Sequence, residues 1–171
     1  VFPAQWRIEL EQNRIYCPDQ GSLRSELYGE TWFAIMARDA ITPDRRRKLA
    51  AIAQLEYQTR IRMTPLITRL GITGIDEAAQ REKGMRLARQ HARQSWPAFI
   101  GWFIDEIGRF VTLYDEMERN STEEDAAILA ELARHERALL EFACLEAESL
   151  PDRSLEPVLA LLDTQNAVNT G

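Results

Sequence analysis

Four of the glutamates in this sequence interrupt otherwise apolar helical stripes, and they are the residues whose type and spacing point most clearly to chemistry. The stripes read Leu23, Leu27, Glu30, Ala34, Ala37; then Leu49, Ile52, Glu56, Thr59, Met63, Ile67. They continue as Trp96, Phe99, Phe103, Glu106, Phe110, Leu113, Met117, and as Leu129, Leu132, Glu136, Leu139, Ala143. Each is apolar at helical spacing except for one acid near its middle. A single buried carboxylate is costly and usually tilts to an edge. Four at one depth are another matter. Each glutamate lies 12 to 15 residues from the turn that joins its helix to the next, near Ile41 to Thr42 or Asn120 to Ser121. That is roughly 18 to 22 Å, so all four can meet in one layer.

Carboxylates converging in an apolar core repel unless cations neutralise them, and divalent metals do so through oxygen ligands. Glu30, Glu56, Glu106 and Glu136 are therefore candidate metal ligands. His135 borders the last stripe and can turn inward as the single imidazole, with Glu131 one turn earlier as an alternative partner. His91 falls in a polar, Arg-rich stretch and reads as solvated. Tyr57, Tyr114, Trp32 and Trp102 stand near the layer, where they serve either redox steps or packing. Other chemistry is poorly supported: there is no Gly-rich phosphate loop, GxSxG or HExxH. Cys17 and Cys144 form neither a CxxC pair nor a disulfide framework, which points to a reducing cytoplasm.

The elements that must hold these residues are helices. Ala, Leu, Glu and Arg supply 77 of 171 residues while Val supplies 4, so a sheet-based fold is excluded. An irregular segment is expected over 1–21, and a first helix from near Ser22 to Ala40. Thr42 before Pro43 marks the start of a second helix that runs to Leu70, with Pro65 loosening its last turn. A long crossover follows, with a polar helical stretch from about Asp76 to Arg93. Ser95 caps a third long helix to Glu118, and Ser121-Thr122-Glu123-Glu124 is a capping box opening a fourth, to about Leu150. The sequence thus predicts a bundle over 22–150, then a short helix from Ser154 to about Thr164 and a tail to 171.

These features resemble the ferritin-like di-iron carboxylate superfamily, its rubrerythrin-like branch in particular. Tyr28-Gly29-Glu30 looks like the Gly-Glu of its first helix, Glu56 and Glu106 stand at the second and third positions, and His135-Glu136 at the fourth. Thr59 and Leu139 stand where its two Glu-x-x-His motifs place histidine. The resemblance implies an all-α, ferritin-like four-helix bundle with one long crossover. It also implies two divalent ions, iron or manganese, bound by Glu30, Glu56, Glu106, His135 and Glu136, and an oxidoreductase using dioxygen or peroxide. The alternative is a non-catalytic helical-bundle binding or interaction protein with a vestigial metal site.

Charge and hydropathy bound the partners. A net charge of −6 argues against a nucleic-acid surface, and the basic run Arg45-Arg46-Arg47-Lys48 reads as the solvated first turns of a helix. The longest apolar run, Trp96 to Ile104, is too short to span a bilayer, and no signal peptide is evident. A small-molecule substrate or oxidant, and a homo-oligomer formed through helix faces, are the expected partners.

Overall fold

The computed structural model describes residues 25–69, 76–119 and 123–169. Among them the chain is all-α, with six helices and no strand. The 1–21 segment, Cys17 and the first two residues of the predicted capping box lie outside the described residues.

Local chemistry explains where the helices begin and end. Helix α1 spans Ser25–Asp39, and α2 spans Pro43–Arg69. Thr42 Oγ1 accepts the Arg45 N–H at 3.3 Å, and Pro43 follows it at the first helical position, as the sequence predicts. Helix α2 continues through Pro65 to Arg69. Helix α3, Glu77–His91, is capped by Asp76, whose carboxylate accepts from the Ala79 N–H at 3.0 Å. Ser95 Oγ caps α4, Trp96–Arg119, at 3.4 Å from the Ala98 nitrogen.

Helix α5 spans Glu123–Ala147. Beyond it Ser149 takes a left-handed φ of 61°, and the Leu150 N–H reaches back to the Leu145 carbonyl at 2.9 Å. Pro151 then prevents continuation. Helix α6, Glu156–Asn169, extends further than the Ser154 to Thr164 expectation.

Helix α1 packs on α2 and α3, α4 packs on α5, and α5 also meets α2 and α6. Helices α1 and α4 are bridged by rings rather than by close backbones. Trp32 meets Trp102 at 5.7 Å and Phe99 at 6.1 Å between centroids, and Phe33 meets Phe103 at 5.6 Å. This aromatic layer, with Ile52, Leu55, Leu139 and Phe142, is the core on which the buried acids rest. No helix among the described residues is long and apolar enough to cross a membrane.

Candidate functional site

The stripes of α2 and α5 place their polar residues as expected. Glu56 is 6% exposed, Glu136 4% and His135 1%. His135 Nδ1 lies 2.8 Å from Thr59 Oγ1, and its Nε2 lies 3.7 Å from Glu56 Oε1. A carboxylate facing Nε2 favours the proton there, so Nδ1 accepts and the Thr59 hydroxyl donates. Thr59, standing where the resemblance calls for a second histidine, thus holds the one imidazole that α5 supplies.

Glu56, Glu106 and Glu136 line one cavity of about 100 Å³, together with Trp32, Trp102 and Tyr28. Glu30 does not line it. Its carboxylate accepts from Arg60 Nε at 3.0 Å and is 25% exposed, and Ala34, one turn on, is exposed as well. Leu27 and Ala37 of the stripe read in the sequence are buried, but between them the buried face of α1 runs through Gly29, Trp32 and Phe33, one position away from Glu30 and Ala34. What α1 contributes to the layer is the absence of a side chain. A methyl group added at Gly29 would lie 2.6 Å from a Glu56 carboxylate oxygen.

The remaining candidates are engaged by neighbours. Glu106 accepts from Arg109 Nη1 at 3.2 Å at the rim of the cavity. Glu131 accepts from Arg62 at 3.0 Å. Tyr57 is 40% exposed beneath the Arg60 guanidinium, away from the layer, whereas Tyr114 is fully buried. Among the described residues no three His, Cys, Asp or Glu side chains group closely enough to hold a metal ion. As folded, the donor set does not fit a two-metal centre: Glu30 and Glu106 are bound to arginines, and Thr59 holds Nδ1 of the one imidazole.

Two residues read as solvated in the sequence are buried. His91 is 2% exposed, with its ring 4.2 Å from Trp102, 5.2 Å from Trp32 and 5.5 Å from Phe99. Its Nδ1–H donates to Gln94 Oε1 at 2.8 Å. Burial pushes the imidazole below the usual histidine range, and the Gln94 bond only partly opposes this. Since the folded-state value is the lower one, the His91 contribution to stability is complete above about pH 6.5 and is lost as pH falls towards that value. Thermal melts between pH 7.5 and 5 should therefore show a steeper loss for the native chain than for His91→Leu.

Lys48, the last residue of the basic run, is 1% exposed. Its ammonium lies 2.7 Å from Glu146 Oε1 and 2.6 Å from Asp44 Oδ2. Glu146 also accepts from Trp96 Nε1 at 2.7 Å and from the Ser154 hydroxyl. Burial raises the Glu146 carboxyl, but these hydrogen bonds, that from Lys48 foremost, outweigh it and hold the group below the usual carboxylate range. The cluster ties α2, α4, α5 and the turn before α6 together.

No known protein family, characterised protein or solved structure matches the chain.

Proposed function

We propose that the chain is a helical-bundle binding protein on a ferritin-like frame, its carboxylate layer held by its own side chains. The frame is supported by two helical hairpins, α1–α2 and α4–α5, with α3 in the connection between them. One observation carries the functional reading: the layer's more exposed acids are held by arginines, and its buried Glu56 lies against a histidine that the bundle itself fixes in place. Arg60 holds Glu30, Arg109 holds Glu106, and His135 faces Glu56 while Thr59 fixes the imidazole. A layer held in this way keeps Glu30, Glu56 and Glu106 in place without a dissociable ion.

The di-metal oxidoreductase reading draws its support from the cavity shared by Glu56, Glu106 and Glu136. It requires Arg60 and Arg109 to release Glu30 and Glu106 so that these, with Glu56, Glu136 and His135, hold iron or manganese. The two readings give opposite signs for one substitution. If the layer is closed from within, Glu56→Leu replaces a crowded buried acid by an apolar side chain and leaves stability within about 1 kcal/mol or raises it, with iron or manganese supplied. If metal is bound, the same change removes a ligand, lowers occupancy and destabilises the holoprotein. Thermal melts combined with elemental analysis of protein purified without chelators decide between them. Two metal ions per chain, lost together with stability in Glu56→Leu, would overturn the proposal.

A further inference from the structure

The larger cavity, about 450 Å³, lies away from the carboxylate layer, where the end of α1, the start of α2, the end of α3 and the start of α4 meet. Its volume is within the range of about 300–1,000 Å³ usual for small-molecule sites. Ile35, Met36, Leu49, Ala88 and Phe99 make its walls apolar. Ile41, 90% exposed, and Met85, 39% exposed, stand at its mouth, where water gains nothing from them.

The charges around this mouth are of one sign once internal pairs are taken out. Asp39 is held by Arg38 at 2.7 Å, and Asp44 by Arg47 and Lys48. Arg45 and Arg89 also line the cavity, and among the described residues neither lies within ion-pair distance of a carboxylate. The Arg45 guanidinium rests over the Trp96 ring at 5.1 Å, which fixes its plane beside the opening. Two guanidiniums without carboxylate partners at an apolar cavity, on a chain of net charge −6, form a local complement to an apolar anion.

We infer that this cavity binds a medium-chain fatty acid, its acyl chain along the apolar walls and its carboxylate between Arg45 and Arg89. Apolar burial of the chain supplies affinity, and the two cations supply preference for the ionised head. The inference rests on the binding-protein reading and names a ligand class for it. It uses no residue of the carboxylate layer, so the Glu56→Leu test and the test below fail separately.

The experiment is calorimetric titration of the full chain with decanoate below its micelle concentration, with decyl alcohol and decyltrimethylammonium as controls. Decanoate should bind at one site in about the micromolar range, tenfold or more tighter than either control. Arg45→Ala and Arg89→Ala should each weaken decanoate about tenfold while leaving decyl alcohol unchanged. Arg89 is exposed and Arg45 half-buried, with no ion pair among the described residues to lose at either position, so circular dichroism of the variants should match the native chain. Absence of decanoate binding overturns the inference. Equal affinity for decanoate and decyl alcohol does too, as does decanoate binding that neither arginine substitution weakens.

Discussion

Glu146→Ala is expected to lower stability by about 3–5 kcal/mol, because it leaves the Lys48 ammonium buried without its deepest counter-charge. At this chain length that is a melting temperature lower by roughly 10 °C. The geometry sets the size of the effect. Lys48 is 1% exposed and Glu146 5%, so solvent does little to screen the pair. Asp44, the other carboxylate on Lys48, is 51% exposed and cannot replace a buried partner. The same substitution strips the Trp96 N–H and the fully buried Ser154 hydroxyl of their shared acceptor. Lys48→Met should cost less, since Glu146 then keeps two hydrogen-bond donors.

Acid provides an independent check on the same cluster. The Glu146 and Asp44 carboxyls are held below the usual range, Asp44 chiefly by its bond from Lys48. Their contribution is complete above the ordinary carboxylate value of about 4 and is lost as pH falls through the folded-state values. Chemical denaturation at successive pH values should therefore show the native chain losing more stability below about pH 4 than Glu146→Ala does. Parallel curves for the two proteins would mean that the cluster contributes no net stabilisation.

How far the sequence discloses this structure differs from helix to helix. The stripes of α2 and α5 are legible because, among the described residues, the positions read from their spacing all lie within the buried surface of each helix, so Glu56, Thr59 and Glu136 fall where their spacing puts them. Helix α1 is covered by α2 and α3 and touched by the α4 rings, so its buried surface is broad and takes in the adjacent Trp32 and Phe33. A single stripe drawn through Glu30 and Ala34 misses that phase by one residue. The adjacent pair Trp32-Phe33 was the available signal: two large rings side by side require more than one buried face. Lys48 and His91 were not legible as buried residues. A polar side chain is tolerated inside only with a partner, and the partner of Lys48, Glu146, is 98 residues away. Local periodicity carries no information about such a pair. For His91 the burying rings come from α1 and α4, so the polar character of its own helix gives the opposite impression.

Gly84→Ala should destabilise the chain by about 2 kcal/mol or more, whereas the same change at Gly101 should stabilise it by about 0.5–1 kcal/mol. In both helices alanine has the better intrinsic propensity, by about 1 kcal/mol, so packing decides the sign. A methyl group at Gly84 would lie 2.6 Å from the Tyr28 carbonyl oxygen, 2.8 Å from Thr31 Cβ and 3.1 Å from the Trp32 nitrogen. Two of these are backbone atoms of α1, which no rotamer change can move. Helix α3 would have to lift from α1, loosening Ala88 one turn on and the His91 ring that packs against Trp32. At Gly101, on the exposed side of α4, the added methyl meets no neighbour within 4 Å, so only the propensity gain remains. Urea denaturation of the two variants measures both signs. A Gly84→Ala protein as stable as the native chain would show that α1 and α3 have room to separate, and that the close approach at Gly84 is not what holds the crossover helix in place.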